Sequence, residues 1–181
     1  MMPIAFLMVE HRLIERMIRI LARELESMKA TRLMKPDLIS LGADFMRNYT
    51  EKHHHGEEEA ILFKALSEKN ISSVHTIILG QLIAEHLLAR KDVGVLIDAN
   101  QKYVAGDKAA VDLAINALTE IVNLYPKHIA KEDKEFFIPV MNYFTAQEQE
   151  KMITALKAYD VTLDETKYKK MVEELELNQT R

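Results

Sequence analysis

Leu7, Ile14, Ile18, Leu21, Leu25 and Met28 recur at intervals of three or four residues, and a histidine, His11, takes one step of the same stripe. Such spacing puts one side of an α-helix against a core. Two later segments repeat the pattern: Leu79, Leu82, His86, Ala89, Val93 and Ile97, then Ala110, Ala114, Ala117, Ile121, Leu124 and His128. Only five glycines and four prolines punctuate the 181 residues, and no alternating β-branched run announces a strand. Breaks at 30–36, 69–73 and 105–107 divide the first 144 residues into four long helical stretches. Short links between long helices make neighbours antiparallel, so the spacing predicts an all-α, up-down-up-down four-helix bundle over 1–144. Pro126, inside the fourth stretch, must remove a helical hydrogen bond and kink or bulge the helix there. Thr145-Ala-Gln-Glu148 reads as a capping box and opens an extension, 145–181, of one or two shorter helices. Met152, Ile153 and Leu156, and then Tyr168, Met171, Val172 and Leu175, supply its apolar faces.

The chain is 48% hydrophobic and 29% charged, the balance of a folded domain rather than a disordered one. A net charge of −4 with interspersed signs gives no basic face, which argues against a nucleic-acid partner. Cysteine is absent, which removes disulfides, thiolate metal sites and Fe–S clusters and leaves histidine and carboxylate as metal ligands. Met1 to Val9 is apolar but short and has no basic segment before it, unlike a secretory signal. The longest uncharged stretch, 71–84, is shorter than the roughly 18–20 apolar residues a bilayer needs. A cytoplasmic chain with no membrane partner is the expectation.

Of seven histidines, His11, His86 and His128 each replace an apolar residue on the buried stripe of a different helix. One such residue is ordinarily a core histidine bonded to a carbonyl. Three at once need three separate solutions to the cost of burying imidazole, whereas one shared metal satisfies all. The second helix carries Lys52-His53-His54-His55-Gly56-Glu57-Glu58-Glu59, with H-x-x-x-E in the registers 53/57, 54/58 and 55/59. The fourth repeats it as His128 and Glu132. Residues i and i+4 stack on one helix face, so imidazole and carboxylate reach the same ion. The periodicity leaves the register of the second helix open, since a regular helix cannot turn all these residues inward.

The run Tyr49-Thr-Glu-Lys-His-His-His-Gly-Glu-Glu-Glu-Ala-Ile-Leu-Phe63 resembles the Y-x-x-x-x-H-H-G-K-E-E-x-x-L-F signature of hemerythrin-type HHE cation-binding domains. Glu85-His86-x-x-x-Arg90, His128-Ile-Ala-Lys-Glu-Asp133 and Glu10-His11 are similar to that family's other motifs, in the right order over about 5–143. The resemblance implies a four-helix bundle holding two iron ions, oxo- or hydroxo-bridged, with Mn or Zn as substitutes. Position by position it implies the ligands His11, His54, Glu58, His86, His128 and Glu132. Tyr49 sets the register at 54/58, leaving His53, His55 and Glu57 on the outer face or behind the ligands. Oxygen-carrying hemerythrins have a second histidine four residues before the third-helix one, where this chain has Leu82, and their last carboxylate falls at the position of Asp133. The loss of that histidine implies a more open centre, and Glu132, at i+4, is preferred to Asp133.

The expected function is a di-iron protein that binds or senses O2, NO, peroxide or iron itself. The alternative is a peroxidase or oxidase using the same centre, with an electron donor the sequence does not name. A third is a metal-free bundle acting through its surface, with 145–181 as a homodimerisation element.

Overall fold

The computed structural model describes residues 2–159 and 162–179, and among these are six helices and no strand. Helix α1 is Ile4–Thr31 and ends where Arg32 turns left-handed (φ 59°), its N–H bonding back to the Met28 carbonyl. Helix α2 spans 36–67. Pro36 opens it in the first turn, where its missing N–H costs nothing. The helix is α-wound over Pro36–Asp44, π-wound over Phe45–His55 and Glu58–Phe63, and α-wound again over Lys64–Ser67. Helix α3, Ser73–Val104, is capped by the Ser72 hydroxyl, which accepts from the His75 N–H. Gly106, at φ 107°, makes the turn into α4, a conformation that glycine adopts without steric cost.

Helix α4 covers 110–143: α-wound over Ala110–Lys131, π-wound over Glu132–Phe136, then Phe137–Val140 and a closing 3-10 turn, Met141–Tyr143. The disturbance expected at Pro126 therefore falls further along. Pro126 lies within the α-wound stretch, and the winding widens just ahead of Pro139. In a regular helix the Pro139 ring would strike the carbonyl four residues back, and a widened turn relieves that clash.

The four long helices pack side by side, α1 against α2 and α4, and α3 against α2 and α4. Two apolar clusters fill the interior. One, with Ile14, Leu21, Phe45, Leu96 and Leu118, occupies most of its length. The other, with Leu7, Leu62, Leu82, Phe136 and Val140, closes one end. On every helix the histidines and glutamates singled out above fall between the members of these two clusters, so the core is interrupted by a polar layer.

Two further helices complete the chain. Thr145 and Glu148 form the capping box of α5, Ala146–Ala158, whose Met152 and Leu156 join the end cluster. Helix α6, Glu165–Gln179, lies along α1 and α2. It buries Tyr168, Val172 and Leu175, and the Arg16 guanidinium grips the Glu176 carboxylate through two nitrogens at 3.1 and 2.7 Å. The extension thus folds back on the bundle of its own chain. No helix among the described residues is long and apolar enough to cross a membrane.

Candidate metal centre

His11, His54, His55, His86, His128, Glu58 and Glu132 meet in the polar layer, each 0–1% exposed. The two carboxylates each straddle imidazoles from different helices. One Glu58 oxygen lies 3.4 Å from His54 Nε2 and the other 3.3 Å from His86 Nε2. One Glu132 oxygen lies 3.2 Å from His11 Nε2 and the other 3.3 Å from His128 Nε2. Two sets result, each with its donor atoms within 4.8 Å of one another: His11, His54, Glu58 and Glu132, and His55, Glu58, His86 and His128. Glu58 belongs to both.

Most of these inward atoms face one another without hydrogen-bond geometry. Nε2 of His11, His55, His86 and His128, and both oxygens of Glu58 and Glu132, are buried and have no hydrogen-bond partner. Each orphan of this kind costs on the order of 1–3 kcal/mol unless something satisfies it. Eight atoms converging on one point have a common solution in a cation. Imidazole with carboxylate suits iron, manganese or zinc, whereas magnesium and calcium favour all-oxygen shells.

The outward ring nitrogens are all engaged. His11 Nδ1 bonds Asp133 at 2.7 Å, His128 Nδ1 bonds Glu85 at 2.8 Å, His86 Nδ1 bonds Glu59 at 2.8 Å and His54 Nδ1 bonds Glu10 at 2.7 Å. The order is cyclic: α1 leans on α4, α4 on α3, α3 on α2, and α2 back on α1. His55 Nδ1 bonds Glu51 of its own helix at 3.0 Å. A carboxylate behind each imidazole fixes the ring and the proton on Nδ1 and leaves Nε2 aimed inward, the arrangement that supports metal-bound histidines.

The charges of the layer follow from this packing. Burial works against a charged His11, but Asp133 and Glu132 outweigh it and hold the imidazole at about 10. Burial likewise opposes the charged His86, and Glu58 and Glu59 hold it at about 10. Glu58, for all its burial, is drawn down to about 2 by His54 and His86. His55 has the opposite environment: burial, then neighbouring His86 and His128, push it well below the usual range and keep it neutral. A cation entering the layer replaces protons on His11 and His86.

All six residues expected from the sequence come together here. His55 joins them, although the resemblance implies a place on the outer face or behind the ligands. The reason is the winding: a π-turn holds more residues than an α-turn, so successive residues rotate less about the axis and His54 and His55 both face inward. The same widening at Glu132–Phe136 lets Glu132 face the centre while Asp133 reaches His11 from behind. His53 and Glu57 take the second of the two places expected for them, behind the ligands: they are 5% and 3% exposed, covered on the side where Tyr159 stands over Gly56. Sequence reasoning passed over the supporting carboxylates, although Glu10-His11 and Glu85-His86 stand side by side in the motifs. It also passed over Tyr125, whose ring stacks at 6.1 Å on His55 and whose buried hydroxyl is held protonated by its surroundings. His75 lies apart, bonded to the Tyr143 hydroxyl.

Residues 2–138 match the family model of the hemerythrin HHE cation binding domain. No curated protein and no solved structure gives a significant match to the chain.

Proposed function

We propose, from the membership of this chain in the hemerythrin HHE cation-binding family, that its polar layer holds two iron ions and binds or senses a small oxidant or diatomic ligand. The observation that carries this reading is the contrast between the two sides of four of the five imidazoles, His11, His55, His86 and His128: Nδ1 anchored on a carboxylate, Nε2 buried without a hydrogen-bond partner. His11 and His54 would hold one ion, His55, His86 and His128 the other, and Glu58 and Glu132 would be shared. Iron held so supplies reversible redox change and affinity for O2, NO or peroxide.

The chain's own residues set the rest. With two imidazoles on one side and three on the other, the His11/His54 side has fewer imidazole donors and is where a small ligand would fit. Apolar clusters above and below the layer exclude bulk water and anything large. A cleft of about 230 Å³ beside Tyr125, Pro126 and Ile129 approaches the layer between α1 and α4. Another, of about 340 Å³, reaches Glu51 and Arg90 between α2 and α3. Neither is lined by an inward-facing histidine or by Glu58 or Glu132, which favours small ligands over large ones.

The test is elemental analysis of protein purified under reducing conditions after iron-replete expression. About two irons per chain are expected, as for dinuclear sites generally, with a visible-spectrum change on adding O2, NO or peroxide. Protein that takes up no transition metal would end this reading. Sustained turnover of peroxide with an added reductant would move it to a peroxidase.

A further inference from the structure

Four of the five carboxylates behind the histidines are themselves held by a basic side chain: Asp133 by Arg12, Glu51 and Glu59 by Arg90, and Glu85 by Lys131. The fifth, Glu10, has no lysine or arginine partner among the described residues. Apart from His54 it faces His53, with Nε2 at 3.7 Å, and Glu57. Donor atoms of Glu10, His53 and Glu57 lie within 4.8 Å of one another.

The two halves of the bundle correspond here. Glu10 and His11 recur 75 residues on as Glu85 and His86, and His54, Glu58 and Glu59 recur 74 residues on as His128, Glu132 and Asp133. By the same offset His53 corresponds to Lys127 and Glu57 to Lys131. In the second half the Lys131 ammonium neutralises Glu85. In the first half that place is taken by a carboxylate and an imidazole, two metal-ligand types. Two buried carboxylates face to face repel each other unless a proton or a cation lies between them. His53 is only 5% exposed, yet neither of its ring nitrogens has a hydrogen-bond partner, and one Glu57 oxygen also lacks one.

We propose that Glu10, His53 and Glu57 form a third cation site that takes one divalent first-row transition ion, Mn(II), Fe(II) or Zn(II), where the other half places the Lys131 ammonium. One imidazole with two carboxylates suits these ions. Because Glu10 also receives His54 Nδ1, the ion sits one residue behind the principal centre and outside its donor set. The proposal stands whichever metal fills the principal centre.

The test uses full-length protein loaded with only two equivalents of iron per chain, enough for the principal centre alone, then dialysed against Mn(II), with iron and manganese measured in the same samples. About one Mn(II) per chain is expected in addition to undiminished iron. His53→Ala should abolish the Mn(II) uptake with iron retained. Glu57→Lys, which copies the arrangement at Lys131, should abolish it too while keeping the fold, checked by circular dichroism. No Mn(II) bound by the parent protein would overturn the site and leave a shared proton between Glu10 and Glu57. Mn(II) retained by both variants would overturn it as well. Iron missing from the parent protein would be a failure of the principal centre, visible separately.

Discussion

His54 and His55 are neighbours in the chain, yet each belongs to a different donor set. On a regular helix neighbours diverge by about 100°, so reading the sequence at that period admits only one of them. His54 was legible because its partner Glu58 lies at i+4 and Tyr49 fixes the register; His55 was not, because nothing in the run His53-His54-His55 announces π-winding. His55→Ala and His54→Ala are therefore each expected to lose about one of two metals, whereas His53→Ala should keep both in the principal centre. Metal-to-protein ratios decide this, and full retention in His55→Ala would remove it from the donor set. The choice between Glu132 and Asp133 resolves into two roles, since Glu132 faces three histidines and Asp133 supports one. Glu132→Ala should lose metal outright. Asp133→Ala should keep both at saturation with affinity lowered roughly 10–100-fold, the usual effect of removing a carboxylate behind a ligand. Competition with a chelator reads the difference.

The long apolar stripes, the breaks between them and the Thr145–Glu148 box placed the helices in advance, because those signals are local. The wide windings of α2 and α4 were hidden, because they satisfy contacts made across the bundle. Glycines show the same split. Gly80 of α3 is exposed with nothing within 4 Å of an added Cβ, so Gly80→Ala should stabilise by up to about 1 kcal/mol through helix propensity. Gly42 of α2 is buried, and a Cβ there would lie 2.6 Å from Leu21 Cδ2. Gly42→Ala should cost about 1–3 kcal/mol as overpacking. Urea midpoints of opposite shift are the expected result, and a stabilising Gly42→Ala would contradict the contact. At the start of α5, the Lys69 ammonium, then the Thr145 N–H and hydroxyl, hold Glu148 at about 2. A carboxyl depressed on folding contributes above its ordinary value of 4.5 and loses that contribution as pH falls towards 2. Amide exchange at 146–149 should accelerate across that window in the parent protein and show no such step in Glu148→Gln. Salt should blunt the effect, since the group is solvent-exposed.

At the scale of the molecule, the polar layer interrupts what would otherwise be one continuous core. If it holds a cation as proposed, its buried atoms without hydrogen-bond partners should oppose folding in the empty protein and tie all four long helices together in the loaded one. Chelation should lower the Tm, and restoring metal at about 1,000 times its Kd should return about 4 kcal/mol. Thermal unfolding with and without iron measures this. Hydrogen exchange should show the loss concentrated around 54–58 and 128–132 rather than at the Gly106 turn. Equal Tm values in iron-loaded and metal-free protein would mean that the layer is satisfied without a metal.

The cyclic order in which each helix leans on the next also bears on descent. Apart from His55 and its support Glu51, helices α1 and α2 carry the same pattern of donors and supports as α3 and α4, offset by 74 or 75 positions. A closed ring of that kind is what two copies of one helical hairpin make when a two-fold axis relates them, so an ancestral chain of half this length could have assembled the same centre as a homodimer. The two halves differ at the interior position where the first has His55 and the second has Ile129, and at the flank where His53 and Glu57 answer Lys127 and Lys131. What a symmetric pair must do twice, this chain does differently on each side, with unequal shares of imidazole.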